Sequence, residues 1–353
     1  MLRIITKAIS AKTEQDILSG IYIKTMSDKL ELQTTDNETG YICHIPAKID
    51  EEGETVLVGK YLQDVVNKLP GEDVNIVFAN NITKITSGTV NFTLLSMNPG
   101  EFPKILPIEH ENQLTIKAET LNNLVRKTYF AVGDVEKRPI FSGCHLTIKD
   151  GEITMSATNT HRLAIKKEKI DTTLNDVEIT IPAKVLTDIC SINNEDDVTI
   201  AYNNHKISFS FGNVYMFAQL LIGEFPKVEE AIPSKFEITA QINTAAFKSA
   251  IERVDLISRT NKFNIIRMVF GDNKIEITST NPEVGNAEEI VPAIIEGGEV
   301  NIAFNTQYML DVLKNIDDSQ IRCRLNSSIK PISIEEPSDD TFLYITTPVR
   351  TSH

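Results

Sequence analysis

The sequence predicts an α+β fold in which one unit, two helices packed on antiparallel β-rich runs, is written three times. Three observations predict it. The word GEFPK occurs at Gly100–Lys104 and again at Gly223–Lys227, 123 residues later. The runs between the two copies follow one order of strands and helices. That order recurs after the second copy and, shortened, before the first. A repeat of this length outranks any local motif, because each copy has to be one supersecondary module.

The middle third shows the unit most fully. Gln113–Ala118 (QLTIKA) reads as a strand, and ETLNNLVRKTYFAV then places Leu121, Leu124, Val125 and Tyr129 at helical spacing. RPIFSGCHLTI and EITMSATNTHRLA alternate as paired strands do, and Lys149-Asp150-Gly151 between them is a hairpin signal. IPAKVLTDICSI predicts a second helix, and DVTIAYNNHKISFSFG with VYMFAQLLIGEFP closes the unit in strands. From Phe236 the order returns as FEITAQINTAAFKSAIERVDLI, IIRMVFGDNKIEITSTNPE, FNTQYMLDVLKNI, IRCRLNSSIKPISIEE and FLYITTPVR. The first hundred residues carry DILSGIYIKTMSDKLELQTTDNE, VLVGKYLQDVVNKLP, VNIVFANNITKITSG and VNFTLLSMNPGEFP.

GEFPK therefore follows the last strand of the first and second units, where Pro103 and Pro226 end the strand by removing a ladder donor. The third unit ends the chain and carries no such word. The expected domains are residues 1–104, 105–227 and 228–353, so the first is 19 residues shorter than the second. Aligned by role, the first unit opens with the tail of a helix, Met1–Ile9, and its opening strand is missing. Either the unit is naturally truncated or a segment lies outside this sequence.

At 353 residues and 41% hydrophobic the chain can bury large cores. No apolar run of about 18 residues exists, and MLRIITKAIS is too short and too charged for a signal peptide, which predicts a cytoplasmic protein without a membrane partner. Cys43, Cys144, Cys190 and Cys323 show no CxxC spacing and are expected to be free thiols. The net charge of −14 speaks against general adhesion to DNA or anionic membranes.

The sequence offers little to an enzyme. His161 and Arg162, with hydroxyls at Thr158 and Thr160, lack a nucleophile or metal partner in their motif. His44, His110, His145, His205 and His353 form no HxH or HExxH pattern, so neither a metal nor another cofactor is expected. Val58-Gly59-Lys60-Tyr61 fails as a phosphate loop, because Gly53 lies six residues before Gly59 and no Ser or Thr follows the lysine.

RPIFSG, SATNTHRLA, two GEFP junctions, the threefold order and a terminal YxxxPVR together resemble the bacterial DNA polymerase III beta subunit family, the sliding clamps, over nearly the whole chain. The resemblance implies a non-catalytic processivity factor. Two three-domain protomers would close head to tail into a dimeric ring of pseudo-sixfold symmetry, with helices lining a hole that encircles double-stranded DNA without reading its sequence. The implied protein partners are the DNA polymerase III alpha subunit, the clamp loader, repair factors and other carriers of a clamp-binding motif. A second reading is a clamp-fold scaffold or regulator, a second clamp copy that no longer encircles DNA. The shortened first unit supports it, since that unit supplies half of each ring interface in the family.

The six helix windows carry ten basic and six acidic residues, a net +4 that leaves −18 for the rest. The resemblance points Arg3, Lys7, Lys60, Lys68, Arg126, Lys127, Lys184, Lys248, Arg253 and Lys314 toward DNA. Lys12, Arg138 and Arg259 join them at matching helix-to-strand positions. Each could equally be a solvated lysine or arginine of an amphipathic helix. Pro139 and Ile140 follow Arg138 where some relatives place aromatic residues, which removes a stacking contact there.

By the same resemblance, a pocket for partner peptides is formed by Phe141, Thr158, Thr160, His161, Arg162, Leu163, Pro226, Ala231, Pro331, Ile345, Thr346, Thr347, Pro348, Val349 and Arg350. Plain core packing is the competing reading for Phe141, Leu163 and Ile345. Thr347 stands where relatives usually carry Met or Leu, Ala231 is small, and Thr351-Ser352-His353 extends the tail. The resulting, more polar floor is expected to hold apolar anchors less tightly. The implied dimer contact sets Phe92 and Leu94, on an edge strand of the first domain, against Leu256 and Ile257 of the third.

Overall fold

The computed structural model describes residues 1–9, 15–71, 73–79, 81–108, 112–134, 138–193, 197–259 and 264–350. They form an α+β fold of three similar repeats. The first repeat holds α1 (Leu2–Ile5), β1 (Gly20–Met26), β2 (Lys29–Thr35), β3 (Thr39–Pro46), β4 (Glu54–Val58), α2 (Gly59–Val66), β5 (Asn75–Ala79), β6 (Ile82–Ser87) and β7 (Val90–Leu95). The second holds β8 (Asn112–Ile116), α3 (Ala118–Thr128), β9 (Gly143–Lys149), β10 (Glu152–Thr158), β11 (Arg162–Lys169), β12 (Val177–Pro182), α4 (Ala183–Ile192), β13 (Val198–Tyr202), β14 (Lys206–Phe211) and β15 (Val214–Gln219). The third holds β16 (Ile238–Asn243), α5 (Thr244–Ser258), β17 (Ile265–Gly271), β18 (Lys274–Asn281), β19 (Gly285–Glu296), β20 (Val300–Asn305), α6 (Thr306–Leu313), β21 (Gln320–Leu325), β22 (Ile332–Glu336) and β23 (Asp339–Thr346).

Local chemistry sets the bounds. Asp150 (φ 51°) with Gly151 (φ 76°), and Asp272 (φ 49°) with Asn273 (φ 54°), supply the paired positive φ angles that two-residue hairpins between right-twisted strands demand. Asn243 and Asn305 hold equivalent N-caps, their side chains accepting from the amides of Ala246 (2.9 Å) and Tyr308 (3.2 Å). The helix expected to reach Val132 stops at Thr128 and tightens into a 3-10 turn over Tyr129–Ala131. Thr128 Oγ1 donates back to the Leu124 carbonyl at 2.7 Å, a bond that bends a helix end.

The chain packs into two compact units, Met1–Glu119 with Val185–Leu220 and Thr120–Lys184 with Leu221–His353. The first contains an antiparallel sheet in the order β4-β1-β2-β3-β15-β14-β13-β8 and a small sheet β5-β6-β7. The second contains one sheet in the order β12-β9-β10-β11-β23-β22-β21-β16-β19-β18-β17-β20. Both long sheets cross a repeat boundary, at β3–β15 and at β11–β23. β8 and β16 open their repeats and pair with β13 and β21. The described residues of the first repeat hold no strand in that place. A groove of about 1050 Å³ is bordered by Ile45, Pro46, Val74 and Ile76.

Cys43, Cys144 and Cys323 are buried and Cys190 half-buried, and none of the four forms a disulfide among the described residues. Burial pushes the thiols of Cys43 and Cys190 up to about 12, so both stay protonated and unreactive near neutrality.

Candidate partner-binding pocket and basic helices

At the β11–β23 junction the second unit gathers Phe141, Leu163, Ile165, Phe225, Val228 and Ile345 into one buried apolar cluster, with Ile140, Ile232 and Leu343 packed against it. Leu163 lies opposite Ile345 in the strand register, and Phe141 meets Phe225 edge to face at 6.2 Å. Phe225, the aromatic of the second GEFPK, also stacks flat on His145 at 4.4 Å. Burial lowers the His145 pKa, with Glu178 and Glu229 opposing, which keeps the imidazole neutral against the ring.

A tight turn forms one lip. Thr158 Oγ1 donates to the Arg162 carbonyl (2.7 Å) and accepts from the Thr160 amide (3.1 Å), while Asn159 Oδ1 accepts from the amides of His161 and Arg162, both at 3.0 Å. These bonds hold Thr160 at φ 77°, an outlying angle for a β-branched residue. The turn leaves Thr160 and His161 exposed and Thr158 buried.

Arg162 points away from solvent. Its Nη1 donates to Asp311 Oδ2 at 2.6 Å and its guanidinium lies 4.4 Å from the Tyr308 ring, with only 10% of the side chain exposed. Arg162 thus ties the turn to α6, while Thr160 and His161 are exposed. The tail forms the other lip. Thr347 donates to the His161 carbonyl from its amide (2.9 Å) and its hydroxyl (3.1 Å), and the Val349 amide donates to the Ala303 carbonyl (2.8 Å). β23 is an inner strand between β11 and β22, so the tail leaves from the middle of the sheet.

Of the anticipated pocket residues, Phe141, Leu163 and Ile345 share one buried apolar cluster, and Thr346 is buried opposite Arg162 in the strand register. Pro226, Ala231 and Arg350 are exposed, and Pro331, Thr347, Pro348 and Val349 half-buried. Pro331 precedes Ile332, which pairs with Thr346. Sequence reading missed Phe225, Val228, Asn159 and Asp311. The first and third stood inside quoted motifs. Asp311 acts on Arg162 from 149 residues away and gave no local signal.

The basic helices divide. Arg3, Lys60, Lys68, Arg138, Lys184, Arg259 and Lys314 are exposed, Lys248 is half-buried, and Lys12 lies outside the described residues. Lys127 corrects the sequence reading: it is 1% exposed, donates to Glu336 Oε2 and to the Asn315 carbonyl (2.7 Å), and cannot face a ligand. Three others already have carboxylate partners, Lys7 with Asp188 (2.8 Å), Arg126 with Asp317 (2.5 Å) and Arg253 with Glu289 (2.5 Å). Phe92 and Leu94 share one face of β7 and are half-buried, Leu256 is 53% exposed near the end of α5, and Ile257 is half-buried.

Models of the DNA polymerase III beta subunit match in sequence: the N-terminal domain over residues 1–107, the central domain over 115–227 and the C-terminal domain over 229–350. The chain belongs to the DNA polymerase III beta subunit family. A beta sliding clamp of Staphylococcus aureus (strain Mu50) is 32% identical, the alignment covering 98% of this chain and 95% of the relative. The crystal structure of the DNA polymerase sliding clamp from Bacillus subtilis matches with a TM-score of 0.94 and 33% identity, over 99% of this chain and 96% of that one. The beta subunit of Streptococcus pyogenes DNA polymerase gives a TM-score of 0.94 at 25% identity, over the same shares. The family's members are processivity factors rather than catalysts. Among the described residues no His, Cys, Asp and Glu group could hold a metal, and no helix is long and apolar enough to cross a membrane.

Proposed function

We propose that two copies of this chain close head to tail around duplex DNA in the cytoplasm and tether the DNA polymerase, its loader and repair factors through the pocket at the β11–β23 junction. The arrangement at that junction supports this reading: a buried apolar cluster adjoins a strained turn and a tail held by two separate backbone anchors. A short client peptide with a Gln and two apolar side chains would lay those side chains on Leu163, Phe141 and Ile345, and the backbone of the two lips would hold its main chain. The DNA contacts would come from Arg3, Lys60, Lys68, Arg138, Lys184, Lys248, Arg259 and Lys314. Such contacts are weak and independent of sequence, which suits a protein of net charge −14 that moves along DNA.

Retention on DNA tests the reading. Loaded with a clamp loader and ATP onto nicked circular DNA, the protein is expected to survive a high-salt wash and to leave within minutes once the circle is linearised. Equal retention on circles and on linear DNA with free ends would overturn it.

A further inference from the structure

The first compact unit contains a second copy of the pocket's framework, at the β3–β15 junction. Gly40 lies opposite Phe217 there, as Leu163 lies opposite Ile345. The turn is the same turn. Thr35 Oγ1 donates to the Thr39 carbonyl (2.7 Å) and accepts from the Asn37 amide (3.0 Å), Asp36 Oδ1 accepts from the amides of Glu38 (3.0 Å) and Thr39 (2.6 Å), and Asn37 stands at φ 74°. The chain leaving β15 is anchored on it as the tail is anchored on the other, the Gln219 amide donating to the Glu38 carbonyl at 2.8 Å. The GEFPK word sits beside both junctions in one geometry. Phe102 stacks on Tyr22 at 5.4 Å, as Phe225 does on His145.

What differs is the filling. With no side chain on Gly40, the Phe217 ring occupies that space; a Cβ on Gly40 would come within 2.5 Å of it. The remaining groove is small, about 240 Å³, with Phe217 and Ile105 as its apolar wall. Lys206 stands two residues before Ser208, the partner of Phe217, which is the place Pro331 holds relative to Ser333, the partner of Ile345. Lys206 is exposed, its Nζ 5.3 Å from the centre of the Phe217 ring, and Lys104, bridged to Glu54 at 3.0 Å, also lines the groove. The described residues that line the groove include these two lysines and no carboxylate.

We propose that this groove is a second peptide-binding site, which takes a short extended segment of a partner protein carrying one apolar side chain next to a carboxylate. The inference rests on the peptide-binding reading of the first pocket. The framework offers the same backbone lips, the volume limits the occupant to one side chain, and Lys206 selects an acidic neighbour, since Lys104 is already bridged to Glu54.

The test titrates the fluorescein-labelled, acetylated pentapeptide Ala-Asp-Leu-Asp-Ala into the full chain at low salt and reads polarisation. Binding at about 1 mM or tighter is expected. Lys206→Glu is expected to weaken it about tenfold, as should the Asn-for-Asp peptide, and deletion of Pro348–His353 should leave it unchanged. Lys206→Gln serves as a second variant should Lys206→Glu fail to fold, with a several-fold loss expected. No binding, or binding indifferent to Lys206, overturns the proposal. So does binding that disappears with the tail, since the peptide would then occupy the first pocket. A Gln peptide with two apolar anchors is titrated in parallel: its failure to bind condemns the first pocket, separately from the outcome at Lys206.

Discussion

Replacing Lys127 with methionine separates a buried structural cation from a DNA contact. The wild-type amine donates to Glu336 and to the Asn315 carbonyl, and lies 3.0 Å from Asp317. Methionine keeps most of the aliphatic stem. What it strands is Glu336, 3% exposed, whose Oε1 retains the amides of Asp317 (2.5 Å) and Asp318 (3.2 Å) while its charge has lost the buried ammonium. Amide dipoles support a carboxylate without neutralising it, and removing one partner of a buried pair costs about 3–5 kcal/mol. The compact unit that holds the pair has about 200 residues, a size at which each kcal/mol moves Tm by about 2–4 °C, so a fall of about 6–20 °C is expected. Glu336→Gln in the same chain keeps an acceptor for the two amides and removes the stranded charge. The double variant should therefore regain most of the lost Tm and retain DNA as the wild type does. Calorimetry of both single variants and the double variant, with the circle-retention assay on the double, checks this. A Lys127→Met protein that melts within about 2 °C of wild type yet slips from circular DNA would refute the burial argument.

Phe92→Ala combined with Ile257→Ala is expected to give a folded monomer by light scattering, since large-to-small changes at a packed contact cost about 2–5 kcal/mol each; an undiminished dimer places the interface elsewhere. Asp311→Asn removes the charge that holds Arg162, and loosening of the turn at Thr160 should weaken a two-anchor Gln peptide about tenfold in polarisation, or about 1.4 kcal/mol; unchanged affinity would make the α6 tie irrelevant to binding. The Arg126 bond holds the Asp317 carboxyl below its ordinary value, with burial opposing and Lys127 assisting. A depressed carboxyl contributes stability that is complete above its unfolded pKa, near 3.9, and is lost as pH falls through the lower folded value. The Tm gap between wild type and Arg126→Gln should thus be constant above about pH 5 and close in stronger acid, and a gap that widens below pH 4 contradicts the assignment.

Much of this architecture was legible because each repeat writes its local rules again. Alternation marked the strands and Asp150-Gly151 marked a hairpin, while the caps at Asn243 and Asn305 came from the structure. What the sequence concealed is set by partners far along the chain. Lys127 reads like any other helix cation until Glu336 arrives from 209 residues away, and Lys7 meets Asp188 across 181. Arg126, Lys127 and Arg253 pair with carboxylates outside the helix windows and so reduce the positive charge that the helix count of +4 had promised. The pairing of β11 with β23, which makes the pocket, lies across more than 170 residues and leaves no periodic trace.

The doubled GEFPK fits the same logic. Each copy places its Phe on an aromatic ring of the strand that starts a hairpin of its repeat, Tyr22 on β1 or His145 on β9, and each ring has a carboxylate beside it. Tyr22 donates to Glu54 Oε2 at 2.5 Å, and His145 Nε2 lies 3.6 Å from Glu178. Glu54 and Glu178 occupy one register position, two residues before Val56 and Thr180, the partners of those rings. Two repeats thus solve one problem, how to fix a chain that leaves a sheet, with one set of contacts, and the word recurs because the contacts do. The neighbouring floor positions are under no such constraint. Gly40 with Phe217 and Leu163 with Ile345 fill the same space from opposite strands, one by a ring over an absent side chain and the other by two aliphatic chains. That exchange of volume across a fixed register lets one framework present a broad apolar floor at one junction and a narrow basic groove at the other.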